Sequence, residues 1–151
     1  MEYVGVGLRA VATIIDTFLL IVIGYLIALA TDSTTAAGFQ LEGVPMLLWL
    51  VIGVGYYIVL EAQSGATLGK RVVGLRVVKL EGGGPIDWQA SLSRNLLRLI
   101  DGFFFYLVGA IIVWSSDKKQ RLGDKVAGTV VIRARQAPLV AAKDTPPITR
   151  L

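Results

Sequence analysis

Between Glu42 and Glu61 the chain runs for eighteen residues without a charge, GVPMLLWLVIGVGYYIVL. An apolar run of about 18 residues is long enough to cross the hydrocarbon of a bilayer as a helix. Two shorter uncharged runs of fifteen residues each extend from Thr17 to Thr31 and from Gly102 to Ser116. The apolar fraction of 54% exceeds the roughly 45–50% of soluble domains. The expectation is an all-α integral membrane protein. Residues 17 to 30 also resemble a signal-peptide core ending in Ala28-Leu29-Ala30. Against that, the start is Met-Glu, Arg9 is the first positive residue and Asp16 interrupts the apolar stretch. A retained membrane helix is expected there.

Helix one is expected over about residues 8 to 30 and helix two from Pro45, which suits a first helical turn, to near Leu60. The intervening loop, residues 31 to 43, has two acids and no Lys or Arg, whereas residues 61 to 95 carry five Lys/Arg against three acids. The positive-inside bias then puts the loop outside, and 61–95 and the N-terminus in the cytoplasm, as in a multi-pass protein of the cell membrane. A third helix opens near Asp87-Trp88 and runs through RNLLRLID into the apolar segment 102–116. One crossing would leave residues 117 to 151 outside, yet they carry eight Lys/Arg against three acids. A single transmembrane crossing, a re-entrant hairpin hinged at Gly102 and an interfacial helix all stay open, and with them the side of the C-terminus. A membrane domain of residues 1–135 and a mobile, proline-containing tail of 136–151 complete the expected organisation.

Two internal repeats organise this chain. Arg9-x6-Asp16-x7-Gly24 aligns with Arg94-x6-Asp101-x7-Gly109, and LGKRVVGLRVV (68–78) aligns without gaps with LGDKVAGTVVI (122–132). Each copy of the second repeat reads as a short helix, a glycine stop (Gly74, Gly128) and a strand (Leu75–Leu80, Thr129–Arg133). Both units are expected on the cytoplasmic side, paired as a small β-ribbon, with Lys70 and Asp124 in equivalent places. Gly24, Ala28, Gly53 and Gly55 offer small-residue surfaces for close helix contact.

Seven residues turn a helix through about 700° and rise about 10 Å, so Arg9 and Asp16 share a face, with Asp16 well inside the apolar run. Charge at such depth is costly and has to face protein or water. Arg9, Asp16, Arg94, Arg98 and Asp101 are therefore the candidate intramembrane network, for an ion or polar ligand or for structure. In the structural form Asp16 pairs with Arg94 or Arg98, and Asp101 with Arg9, as salt bridges that fix helix docking. Lys70, Arg71, Arg121 and Asp124 form a secondary cytoplasmic motif. The chain has no Cys and no His, which removes thiolate chemistry and the commonest metal ligand. No metal site or cofactor is expected, and no enzyme: GATLGK is one residue short of a phosphate-binding loop and Arg71 stands where its Ser/Thr belongs.

At these residues the sequence resembles the RDD family of membrane proteins, named for one arginine and two aspartates. Arg9 and Asp16 match the first two, and Asp101 the third, with Asp124 in RLGDKVAGT the competing assignment. The blocks GATLGKRVVGLRVV, RNLLRLID and QRLGDKVAGTVV extend the resemblance over roughly residues 4 to 135. Many members have histidine where Gly123 stands, so the relay such a histidine would serve is missing. The resemblance implies a membrane protein involved in transport, with cation/proton coupling through the Asp and Arg residues. The alternative is a non-catalytic accessory, assembly or scaffold subunit. Both imply a homo-oligomer or a larger complex, since three helices cannot easily enclose a pathway. The basic segments suit the bilayer and its anionic headgroups better than nucleic acid.

Overall fold

The computed structural model describes residues 2–103 and 117–136, with backbone alone for 99–103. The expected apolar segment 104–116 and the tail 137–151 lie outside the described residues. Helix α1 spans Val6–Ala30 and α2 spans Gly43–Ser64, and both are long and apolar enough to cross a membrane. Most of their apolar surface faces away from the chain, including Ile14, Phe18, Leu26, Val44, Leu47 and Val51. The buried positions of α1 are Arg9, Ala12, Asp16, Gly24 and Ala28, a stripe at helical spacing made of charged and small residues. That is the inverse of a soluble amphipathic helix and fits a lipid surround.

Gly24 supplies the close contact expected of it. A Cβ on Gly24 would meet Phe39 and Trp49 at 2.9 Å, and the Trp49 indole donates to the Leu20 carbonyl at 2.8 Å. Of the two glycines in α2, Gly53 faces Leu20 and Gly55 has open space beside it. The loop between the helices holds a tight hairpin, β1 (Thr34–Thr35) against β2 (Gly38–Phe39), where only a polar loop was expected.

Helix α2 runs one turn past its expected end, which brings Glu61 inside the helix, and stops at Gly65 in the left-handed conformation (φ 70°). Thr67 then caps α3 (Leu68–Val72), accepting a hydrogen bond from the Lys70 N–H. Strand β3 (Leu75–Lys79) follows, then α4 (Trp88–Phe103), α5 (Leu122–Val126), β4 (Thr129–Arg133) and a 3-10 turn at Ala134–Gln136. The Asp87 carboxylate caps α4 by accepting from the Ala90 N–H at 2.8 Å. Helix α4 continues through Gly102, the expected hinge.

The expected ribbon forms. Strands β3 and β4 pair antiparallel over five residues, with Val77 directly opposite Val131. These two valines are equivalent in the repeat, both 54 positions apart like every other aligned pair. A local two-fold axis therefore passes between them, perpendicular to the ribbon. Reciprocal bonds confirm it: the Leu80 N–H donates to the Gly128 carbonyl and the Ala134 N–H to the Gly74 carbonyl, both at 2.8 Å. Gly74 and Gly128 stop α3 and α5 with φ of 71° and 59°, where a side chain would be strained.

One ribbon face carries Leu75, Val77 and Val131 into a core with Val4, Leu8, Ala12, Val73, Ile86, Ala90 and Ala127. Val78, Val130 and Ile132 on the other face pack with Tyr3 and Leu80, and Tyr3 adds a single antiparallel bridge to Ile132. The helix repeat is less regular. Gly69 of α3 lies against Ala12 and Asp16, whereas Gly123 of α5 lies against Arg94 and Leu97. Aligning Arg9 with Arg94 would have put Leu97, not Arg94, in the place of Ala12. Helix α4 thus sits nearly one turn away from the register suggested by the two Arg-x6-Asp motifs.

Candidate functional site: a buried charge network

The helix stop at Gly65 and the cap at Thr67 turn the chain so that α3 lies across α1, with Gly69 as the contact point. Asp16, on the buried stripe of α1, accepts three hydrogen bonds from this junction. Its Oδ1 receives the Gly69 N–H at 2.7 Å and the Tyr56 hydroxyl at 2.6 Å, and its Oδ2 receives the Thr67 hydroxyl at 2.6 Å. The Tyr56 oxygen in turn accepts from the Leu68 N–H at 3.1 Å. A buried carboxylate held by neutral donors at a helix N-terminus satisfies N–H groups that would otherwise be orphaned.

Arg94 is the centre of the second cluster. From α4 its Nε donates to Glu61 at 3.2 Å and its Nη1 to Asp124 at 2.5 Å and to the Thr129 hydroxyl. Glu61 also accepts from the Lys70 ammonium and from the Asn95 amide. Asp124 accepts from Arg9 at 2.6 Å and, by capping its own short helix, from the Arg121 N–H at 3.2 Å. Arg9 is further fixed by the Val4 and Lys119 carbonyls at 3.1 and 2.8 Å. The result is one chain of charges, Arg9–Asp124–Arg94–Glu61–Lys70, joining α1, α2, α3, α4 and α5.

Burial would raise the Asp124 carboxyl, but Arg94, Arg121 and Arg9 outweigh it and hold it below the usual carboxylate range. Burial pushes the Lys70 ammonium down to about 8, partly opposed by Glu61 and reinforced by Arg94, Arg98 and Arg121. Among the described residues no group of three acids is placed to hold a metal ion.

Of the sequence-derived candidates Arg9 and Arg94 meet on Asp124, and not as the expected crossed pairs. Asp16 bonds neither Arg94 nor Arg98, because the α3 N-terminus occupies its oxygens. Arg9 turns instead to Asp124, the competing third residue of the Arg-Asp-Asp pattern. Arg98 lies with its guanidinium 3.9 Å from the centre of the Tyr57 ring and donates to the Thr13 hydroxyl at 3.2 Å. The Asp101 side chain lies outside the described residues. Lys70 and Asp124 are not paired directly; each meets a partner of opposite sign, and Arg94 links the two ends. Arg71 is exposed and donates to Ser64 at 2.7 Å. Glu61, Tyr56, Thr67 and Asn95 were missed. Glu61 carried the best signal, as the lone acid closing an apolar run.

The RDD family matches residues 3–128, which include every charged residue of both clusters. An uncharacterized protein of Haemophilus influenzae is 24% identical over 98 residues, 64% of this chain and 63% of its own length. The uncharacterized protein YxaI of Bacillus subtilis is 30% identical over 147 residues, 85% of this chain and 95% of its own. The uncharacterized membrane protein YteJ of the same organism is 29% identical over 57% of this chain and 51% of its own. The chain thus spans less than two thirds of the Haemophilus relative and nearly all of YxaI. No solved structure matches it significantly. With two helices long enough to span a bilayer and a family match over most of its length, the chain is a membrane protein belonging to the RDD family.

Proposed function

We propose that the chain is a non-catalytic accessory or scaffold subunit of the cell membrane, in which a buried charge network locks a cytoplasmic ribbon onto the inner ends of the helices. One observation carries this reading: the buried carboxylates Asp16, Glu61 and Asp124 all spend their oxygens on fixed protein donors. Such networks position elements with little net stabilisation. The outward apolar faces of α1 and α2 then serve lipid, a second copy or a larger partner. Purification in native lipid particles, followed by mass measurement of the intact assembly, tests it. A chain recovered only as a monomer, with no co-purifying subunit, would sink the reading.

In this reading the N-terminus and residues 61–95 face the cytoplasm, following the Lys/Arg asymmetry. Because β3 and β4 are hydrogen-bonded partners they share one side of the bilayer, which favours the re-entrant alternative over a single crossing. Thiol labelling of Thr35→Cys, Glu81→Cys and Lys118→Cys in intact cells tests this. Glu81 and Lys118 should share one side and Thr35 the other; Lys118 labelling with Thr35 would overturn it.

Ion coupling is the second reading, supported by the burial of Arg9 and Asp16 on α1 and of Arg94 and Arg98 on α4. It needs a carboxylate free to exchange a proton for a cation, and Asp101 is the remaining candidate. Cation-dependent proton flux in proteoliposomes, abolished by Asp101→Asn in a folded protein, would establish it in place of the scaffold.

A further inference from the structure

The two short helices α3 and α5 expose the same face. In LGKRV the exposed residues are Leu68, Arg71 and Val72; in LGDKV they are Leu122, Lys125 and Val126. Gly69 and Lys70, like Gly123 and Asp124, point inward. Val72 is 74% exposed and Val126 65% exposed, a cost in water for which the described residues supply no cover. Each helix therefore shows two aliphatic side chains one turn apart with a cation beside them. The position holding opposite charges in the two copies is buried, so the outward chemistry is conserved between copies while the inward chemistry is not.

The repeat axis puts both helices on one side of the ribbon. Val73 and Ala127, the residues following the two helices, both pack on the ribbon face that carries Val77 and Val131. That same face meets α1 through Leu8 and Ala12 and α4 through Ala90. Both helices thus flank the side of the ribbon that faces the membrane helices. The α3 contact on α1 falls at Ala12 and Asp16, directly where the lipid-type surface of α1 begins with Ile14 and Phe18. On α4 an apolar stripe of Trp88, Leu92 and Leu96 faces outward, while Ser91, Arg94, Asn95 and Arg98 face inward.

We propose that α3 and α5 are a pair of interfacial helices, related by the repeat axis, that seat the ribbon on an anionic leaflet. Leu68, Val72, Leu122 and Val126 enter the boundary between headgroups and acyl chains, and Arg71 and Lys125 meet lipid phosphates. Short apolar faces bordered by cations bind such a surface through buried area and attraction to anionic lipid together. The proposal requires only that α1 and α2 span the bilayer, and it stands whether or not the chain acts as a scaffold.

The test uses the full chain with a nitroxide on a single cysteine at Val72, Val126, Val51 or Glu81, in nanodiscs of phosphatidylcholine with or without phosphatidylglycerol. At Val72 and Val126 the label should be reached by oxygen more readily than by a water-soluble nickel chelate, at matching depths between those of Val51 and Glu81. A water-like response at either site overturns the proposal. Shielding from both relaxants overturns it in favour of a protein cover. Lys125→Glu should move the Val126 label outward in discs containing phosphatidylglycerol and leave it in place in pure phosphatidylcholine. The same depth in both overturns the role assigned to the cation.

Discussion

Val77 and Val131 are the same residue of a repeated segment, and they face each other directly across the ribbon, each with no exposed surface. Removing two methyl groups from either leaves the same kind of void on the same face. Val77→Ala and Val131→Ala should each cost about 1–3 kcal/mol, from the lost transfer energy plus the cavity. The double variant should depart from additivity, since the two side chains are neighbours. Denaturant unfolding in detergent measures all three. A strongly unequal pair of costs would show that the two halves of the ribbon are not energetically equivalent.

The glycines at the two helix contacts should behave differently from an exposed one. At Gly69 a Cβ would collide with the Ala12 carbonyl and lie 2.8 Å from Asp16, so α3 has to move and the Asp16 bonds lengthen. At Gly123 the obstacle is the Arg94 carbonyl at 2.9 Å. Gly69→Ala and Gly123→Ala should each destabilise by about 1–3 kcal/mol or more, with Gly69 the worse. Gly7→Ala has open space and should be neutral or stabilising by up to about 1 kcal/mol. Thermal unfolding of the three variants in one detergent makes the comparison.

Arg94 holds two buried carboxylates at once, Glu61 and Asp124. Arg94→Met should cost about 3–5 kcal/mol, because both are left partly uncompensated. Adding Glu61→Gln to that variant should recover part of the loss. Recovery is read from the yield and unfolding midpoint of the purified protein. An unrecovered double variant would mean that Arg94 acts mainly through Asp124.

Lys70 and Asp124 should mark opposite ends of the pH range. The Lys70 pKa is lowered from 10.5 to about 8 in the fold, so unfolding takes up a proton between these values. Its contribution to stability is therefore full above pH 10.5 and is lost as pH falls toward 8, with a slope of at most about 1.4 kcal/mol per pH unit. Lys70→Met should remove that slope, while Arg94 and Asn95 still bond Glu61. Asp124 is also lowered, from 3.8, so its contribution is present above that pH and disappears as acid protonates it. Unfolding midpoints of wild type, Lys70→Met and Asp124→Asn across the pH range check both signs; Asp124→Asn should flatten the acid limb alone.

Membrane class, the two long helices and the pairing of the ribbon were legible in the sequence, because each depends on local pattern. Eighteen uncharged, mostly apolar residues are long enough to cross a bilayer as a helix, and a repeated helix-stop-strand segment carries its own turn glycines. The burial of Arg9 and Asp16 on one face of α1 was legible for the same reason, since helical phase and the cost of exposed charge both follow from spacing. The partners were not. Asp16 was free on paper to choose Arg94 or Arg98, but a one-turn shift of α4 and the close approach of Gly69 gave its oxygens to Tyr56, Thr67 and an amide. Arg9 then reached Asp124, 115 residues away. Glu61 looked like the edge of a helix until α2 gained a turn and enclosed it. Spacing along one helix determines which face a charge occupies. Which opposite charge it meets depends on how helices slide past one another, and that is set by the packing of glycines, caps and backbone carbonyls, visible only in the folded chain.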